Sequence, residues 1–515
     1  LDSLNLSFLD VDQSEINPFV NKTAGLRVTC AEKAKRILLG VTLLPIRVIC
    51  IFLLLTFGMV VSKLATICMK KEDLDPLTGK PLSTWRYALF TIVLNGRWLL
   101  LWSFGFCVRV KGKQASQAEA PIIVANHVSG MMEGMFLLRC ATMVEAHYVS
   151  NPFLGPILMA TSSIFVDRSD PNSRDVAKKA LKRRAEESDW PQTLVFPEGT
   201  CTNGNALVQF KLGAFATGRP IQPVLFRYPN RHHDVSFTFP VTSMSYMLTM
   251  LVQCVNKMEV EFLPVYRPSP TEIEHPAIFA ANVQKAMADA LGVPRTKHAA
   301  EDVTLCIHAQ RMKMPVETGM VQWDLLSENL TNMRVRDAVN VLKQFAKLDQ
   351  AGNGRIDSDA FVTAMKGLVA QSGGESQLSD ADLHSIFNLL DVGGDGYVDF
   401  REYLCGVAVL NGHGRKGEDG DEVASLKWTF ECLAHGEECF SKARLEEIIC
   451  RAMPSLDADR LNQLFLEADK DEDGVVSRQE FIDFAVKHRE DLQLRPSAML
   501  RGLPISMERQ LSGGV

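Results

Sequence analysis

Twelve residues, Asp469 to Glu480, leave this chain less conformational freedom than any other stretch. Asp469, Asp471, Asp473, Ser477 and Glu480 set side-chain oxygens at the first, third, fifth, ninth and twelfth positions. Gly474 stands sixth, and Val475 supplies a carbonyl at the seventh. Calcium takes about six to eight oxygen ligands, and a glycine at the sixth position allows the sharp turn that wraps a loop around it. Such a sequence folds as helix, loop, helix.

The pattern is that of an EF-hand, and it recurs. Asp391 opens a second loop, with Asp395, the Tyr397 carbonyl, Asp399 and Glu402 as ligands. Gly393 leaves its third position empty of oxygen, which predicts weaker binding. A degraded copy starts at Asp349. It keeps Gly354 and Ile356 but carries Ala351 and Ala360 at ligand positions, so no calcium is expected there. Asp349 and Asp391 are about forty residues apart, and Asp391 and Asp469 about twice that, which predicts a fourth, degenerate copy near Cys432–Arg444. EF-hands pair back to back. Residues 334–490 are therefore read as an all-α module of two pairs, each with one degenerate and one functional loop. Val335, Val339, Leu342 and Phe345 share one helical face ahead of the first loop.

The other end of the chain reads as membrane-facing. Residues 1–36 lack periodicity and read as a tail without a cleavable signal peptide. Residues 37–111 carry two apolar segments, read as membrane-associated helices. In the first, Ile37 to Val61, Pro45 and Arg47 leave Val48–Val61 as the longest charge-free run, 14 residues against the ~20 that a spanning helix needs. Lys33, Lys35 and Arg36 precede the segment, and Lys63, Lys70 and Lys71 follow it. Positive charge stays on the cytosolic side, so basic flanks at both ends favour a re-entrant or in-plane hairpin bent at Pro45 over a single crossing. The second segment, Tyr87 to Val108, is broken by Asn95, Gly96 and Arg97. Trp85, Trp98 and Trp102 suit an interfacial helix.

Residues 112–300 change to an α/β pattern. Strand-like runs at Pro121–Ala125, Ile164–Val166, Thr193–Phe196 and Ile221–Phe226 alternate with helical stretches such as Ser173–Ser188. Met258–Phe262 alternates as a strand, and a helix from Pro276 to Leu291 closes the domain. This predicts a mixed sheet with covering helices. Ligands of such folds bind beyond the carboxyl ends of the strands, and polar residues collect there. His127 and Glu133 follow one strand, Arg168 another, and Glu198, Gly199 and Thr200 a third. A histidine suits proton abstraction near neutral pH, and a carboxylate on its other ring nitrogen fixes the tautomer. The Gly199 and Thr200 backbone N–H groups are candidate donors to a developing oxyanion, and Arg or Lys side chains suit phosphate.

In order and spacing, Asn126–Glu133, Ser163–Arg168, Phe196–Thr200 and Ile221–Val224 resemble the four blocks of the glycerolipid acyltransferase superfamily. Glu198–Asn203, Phe210–Phe215, and Gln222-Pro223-Val224 with Arg227-Tyr228-Pro229-Asn230 look like the lysophosphatidylcholine/lysophosphatidylethanolamine acyltransferases. Gly112-Lys113 through Pro121 and Asn126–Ser129 are most similar to the plant type with EF-hands. The resemblance covers about residues 17–300 and the C-terminal half. It implies acyl transfer from acyl-CoA to the free hydroxyl of a lysophospholipid. His127 would be the base, Glu133 its orienter and Arg168 the phosphate anchor, with Lys211 a pattern-based addition. Glu198, Gly199 and Thr200 would shape the substrate site.

One departure stands out. The family places its acid after four residues; here that position is Met132, and Glu133 comes one residue late. A tight bend at Gly130 would absorb the extra residue. A broken dyad would instead leave a catalytically silent, calcium-binding membrane adaptor. Lysophosphatidic acid is the alternative acceptor. The implied partners are the lipid bilayer, lysophospholipid and acyl-CoA; net charge −6 argues against nucleic acid. The 12 cysteines include no C-x-x-C pair and read as reduced thiols facing the cytosol. The expected location is the endoplasmic reticulum membrane, with Golgi or endosomal membranes as alternatives. Residues 301–333 read as a linker and 491–515 as a tail.

Overall fold

A strand covered on both faces reads as an unbroken apolar run, and Ile122–Ala125 is buried at every position. It lies inside a seven-stranded sheet built from β1 (Phe106–Lys111), β2 (Ile122–Ala125), β3 (Ala141–Glu145), β4 (Ile164–Val166), β5 (Thr193–Val195), β6 (Ile221–Arg227) and β7 (Asn256–Phe262). The order is β1-β7-β6-β2-β5-β3-β4. All neighbours run parallel except β6 and β7, so the sheet is mixed. The computed structural model describes residues 16–22, 29–69, 75, 77–167, 170–230, 232–240, 242–329, 333–371, 379–391, 394–410, 426, 430, 439–452 and 458–488. The described residues divide into two compact units, one running from Ile16 to Thr296 and the other from Lys297 to His488.

Helices of the first unit are α1 (Cys30–Thr42), α2 (Leu44–Ala65), α3 (Thr84–Ser103), α4 (Met131–Phe136), α5 (Leu154–Ala160), α6 (Pro171–Glu186), α7 (Ser243–Leu251), α8 (Pro270–Glu274) and α9 (Pro276–Leu291). The strand alternation sorts side chains to two cores. Ile123 and Ala125 pack with Leu101, Phe136 and Phe226. Ile122 and Val124 pack on the other face with Ala177 and Leu181 of α6 and Phe279 of α9.

The apolar N-terminal region differs from its sequence reading in two places. The segment Tyr87–Val108 is not one element: Gly105, at φ +82°, ends α3 and starts edge strand β1. A Cβ at Gly105 would lie 2.5 Å from Arg47 Nη2, so only glycine fits. Pro45 does mark a bend: it sits in the first turn of α2, where its missing N–H leaves nothing unpaired. Arg47, however, does not interrupt the helix. Its guanidinium donates to the Leu251, Gln253 and Cys254 carbonyls at 2.8, 2.5 and 3.0 Å. α2 thereby becomes the one described helix long and apolar enough to cross a membrane. It is tied to the domain along its length. Arg47 fixes its start, Gly58 packs on Ile157 and Val93, and Arg86 donates to the Ala65 and Ile67 carbonyls near its end. Its other face exposes Ile49, Phe52, Leu53, Phe57 and Leu64. Within the expected tail, residues 17–21 are anchored: Asn203 Nδ2 donates to the Asn17 and Val20 carbonyls, both at 2.8 Å.

The second unit contains α10 (Ala300–Arg311), α11 (Trp323–Asn329), α12 (Val335–Leu348), β8 (Arg355–Asp357), α13 (Ser358–Gln371), α14 (Asp380–Leu390), β9 (Tyr397–Asp399), α15 (Phe400–Leu410), β10 (Cys439–Ser441), α16 (Lys442–Ala452), α17 (Ala458–Ala468), β11 (Val475–Ser477) and α18 (Arg478–Lys487). Short antiparallel ladders join β8 to β9 and β10 to β11. Of the expected fourth copy, β10 and the start of α16 are seen; 432–438 lies outside the described residues. The stretch read as a linker contributes Leu305, Val321 and Leu326 to the core. Buried Asp302 there accepts from the Ala299, Val321 and Trp323 N–H groups.

Candidate active site

β2 delivers Asn126 and His127 to the carboxyl edge of the sheet. Asn126 is clamped to β6, donating to the Phe226 carbonyl at 3.0 Å and accepting from its N–H at 2.8 Å. The His127 N–H donates to Glu198 Oε1 at 2.9 Å, and its carbonyl accepts from the Thr202 N–H at 2.8 Å. Its ring stacks on Phe196, centroids 3.9 Å apart. The backbone and ring face of His127 are thus held by the third block and its flank.

Gly130 adopts φ +69° just ahead of α4, a conformation glycine takes without strain. The bend puts Glu133 in the first turn, fully buried. Its Oε1 accepts from Ser129 N–H at 2.7 Å, Val128 N–H at 3.2 Å and the Tyr228 hydroxyl at 2.7 Å. Its Oε2 stands 3.8 Å from His127 Nδ1, an ion-pair distance longer than a hydrogen bond. Burial pushes the Glu133 carboxyl up, while the Ser129 N–H and Tyr228 hydroxyl pull it back. Catalytic hydrogen bonds are often long before substrate binds.

The other expected residues are placed as follows. Glu198 is fully buried behind His127; burial pushes it up to about 8, partly offset by the His127 and Val208 N–H groups. The Gly199 N–H donates to the Phe196 carbonyl at 3.1 Å, closing a turn. It is therefore not free for an oxyanion, and of the two expected donors the Thr200 N–H is left. The Lys211 N–H donates to the Pro197 carbonyl at 2.7 Å, which seats Lys211 beside this block. Arg168 lies outside the described residues. Sequence reasoning takes in Tyr228 only within the Arg227–Asn230 block and gives no role to it or to Tyr246. The Tyr246 hydroxyl, from α7, shares a 2.7 Å hydrogen bond with buried Ser129 Oγ. A hydroxyl-bearing aromatic just past β6, the neighbour of β2, was the available signal for Tyr228.

In the second unit the Asp469, Asp471 and Asp473 carboxylates converge, with oxygens within 4.8 Å of one another. Glu480 Oε2 accepts from the Ser477 N–H at 2.9 Å, which turns it toward the loop. Converging like charges with only oxygen donors fit a divalent cation. Asp469 accepts from the Asp473 and Gly474 N–H groups at 3.1 and 3.0 Å. Asp391 makes the same pair of bonds with Asp395 and Gly396, at 3.1 and 2.9 Å, and Asp399 and Glu402 cap one another. The Asp349 loop, without a ligand set, is closed in the same way by Asn353 and Gly354, at 3.2 and 2.8 Å.

A family model described as Acyltransferase matches residues 107–227. Models described as EF-hand domain pair match 340–408 and 438–488. The class is an acyltransferase joined to paired EF-hands. Lysophosphatidylcholine acyltransferase 2 of Homo sapiens is 34% identical over 485 residues, spanning 92% of this chain and 84% of its own. The Rattus norvegicus protein of that name is 36% identical, with the same coverage. Lysophosphatidylcholine acyltransferase of Drosophila melanogaster is 31% identical, spanning 92% of this chain and 86% of its own. The chain belongs to the lysophosphatidylcholine acyltransferase family.

Proposed function

We propose that the protein transfers a fatty acyl group from acyl-CoA to the free hydroxyl of a lysophospholipid, with lysophosphatidylcholine or lysophosphatidylethanolamine as acceptor. Glu133 keeps the His127 proton on Nδ1, so Nε2 takes the proton of the attacking hydroxyl. The new C–O bond forms as the thioester carbonyl becomes an oxyanion, to which the Thr200 N–H donates. Collapse breaks the C–S bond, and the CoA thiolate takes the proton from His127. Glu198 braces His127 from behind rather than touching substrate. Arg168 and Lys211 serve the phosphate groups. The observation that carries this reading is the 3.8 Å approach of Glu133 Oε2 to His127 Nδ1, with the other carboxylate oxygen held by three donors.

Calcium would be held by Asp469, Asp471, Asp473, the Val475 carbonyl, Ser477 and Glu480. It would be held more weakly by Asp391, Asp395, the Tyr397 carbonyl, Asp399 and Glu402. Its role is to cross-link the loops and so regulate the enzyme; the transfer itself does not pass through it. α1 to α3 lie in the plane of the bilayer, with catalytic and EF-hand units facing the cytosol. The endoplasmic reticulum is the membrane we infer. What supports an in-plane α2 is its attachment to the catalytic domain at both ends and in the middle.

The test is CoA release by microsomes expressing the chain, given acyl-CoA and a panel of lysophospholipids. Headgroup-dependent release that His127→Ala abolishes supports the reading and names the acceptor. Release with lysophosphatidic acid alone would reassign the acceptor. No release from well-expressed protein would favour a calcium-binding membrane adaptor.

A further inference from the structure

Arg97 and Arg139 lie close enough to sense each other's charge, without an acidic partner among the described residues. Their charges repel. Arg97 Nη1 donates to the Leu94 carbonyl of its own helix, while its buried Nε has no hydrogen-bond partner. Arg139 Nη2 donates to Asn95 Oδ1 at 2.7 Å. Among the described residues no carboxylate pairs with either guanidinium. A partly buried cation left in this state is unfavourable until an anion joins it.

Beside the pair lies a cavity of about 350 Å³. Thr84, Tyr87, Phe90 and Leu94 form one wall, and Leu138 and Trp190 stand among the residues opposite. The wall is one stripe of α3 at helical spacing, and Arg97 is the next position along it. Arg139 is at the cavity itself, as is Asp189, which pairs with neither arginine. The place is not the candidate active site. Leu138 and Arg139 precede β3, and Trp190 and Pro191 precede β5, whereas His127 and Glu198 follow β2 and β5. These strands are parallel, so the two sites occupy opposite edges of the sheet.

We propose that this is a second lipid site. An anionic phospholipid of the bilayer sets its phosphate between Arg97 and Arg139 and one acyl chain in the cavity. Cavities from ~300 Å³ upward hold small ligands. The bilayer is the source because Trp98, Leu99 and Trp102 of the same helix are exposed, an interfacial signature. The site rests on α3 lying in that interface, but not on acyl transfer.

The test uses the purified full chain in detergent micelles, followed by native mass spectrometry with dioleoyl phosphatidylglycerol or dioleoyl phosphatidylcholine. One phosphatidylglycerol is expected to be retained roughly tenfold more tightly than phosphatidylcholine. Arg97→Gln with Arg139→Gln removes that preference, and the corresponding double Lys variant keeps most of it. Thr84→Trp, at an exposed position of the wall, weakens retention by narrowing the cavity. Equal retention of both lipids, an unchanged preference in the Gln pair, or displacement by free CoA would overturn the proposal. A chain without transferase activity still reports on this site, so its failure is separable from that of the enzyme.

Discussion

Tyr228→Phe isolates one hydrogen bond in the candidate site. The phenol oxygen donates to Glu133 Oε1 at 2.7 Å. Burial and the Glu133 charge push the Tyr228 hydroxyl well up, so it stays a donor. Phenylalanine keeps the ring and its edge contact with Phe106, centroids 6.3 Å apart. A hydrogen bond to a buried carboxylate is worth roughly 1.5–3 kcal/mol, which is about one to two pKa units. Burial already raises Glu133 and the hydroxyl opposes that rise, so the variant raises it further. Protonating Glu133 removes the anion that orients His127, so the acid limb of kcat/KM should move up by about one to two pH units. Initial rates of CoA release over a pH series read this directly. The expected result is a loss of roughly tenfold near neutral pH, recovery at alkaline pH, and KM unchanged for both substrates. An equal loss at every pH, with the limb unmoved, refutes the reasoning and leaves Tyr228 a space-filling residue.

Three further outcomes follow from the same geometry. Glu198 is held up to about 8 by burial; because its folded value exceeds its unfolded one, stability should fall as pH rises from about 4.5 to 8. Glu198→Gln should flatten that slope in a thermal-unfolding series, and an unchanged slope would count against a neutral Glu198. Cys30, the first residue of α1, and Cys68, just past the end of α2, are exposed thiols and should both react with an impermeant maleimide from the cytosolic face of sealed vesicles; protection of one would mean that α2 crosses. Asp469→Ala should remove the tighter calcium site and Asp391→Ala the weaker, read by calorimetric titration of the full chain. Loss of the tighter site in Asp391→Ala would reverse the assignment.

The central strands were legible because burial on both faces leaves an unmistakable apolar run, as in Ile122–Ala125 and Ile221–Phe226. β1 and β3 were not. β1 continues an apolar helix without a polar break, and only Gly105 marks the change; β3 carries Thr142 and Glu145 and lacks a clean alternation. Helix α9 was legible from Pro276 at its start and Gly292 at its end. At the site, His127, Glu133 and the Gly130 bend could be read locally. The partners of Glu133 could not, because Tyr228 is 95 residues away in sequence. Arg47 shows the same limit. A charge in an apolar run reads as an interruption until three carbonyls from a segment about two hundred residues on are brought against it. The use of the Gly199 N–H in a turn is likewise a matter of backbone geometry that residue types do not specify.

The closed Asp349 loop has a consequence for how the C-terminal unit would respond to a signal. Two ion sites joined by a ladder can make the first binding event favour the second and so sharpen the response. Here β8 belongs to a loop that carries Ala351 and Ala360 where ligands should stand, so a calcium at its partner Asp391 would have no second ion with which to cooperate. This pair would then titrate as a single site, filling gradually over roughly two decades of calcium concentration. A pair built this way would grade its occupancy to the prevailing ion level, in the manner of a dimmer rather than a relay.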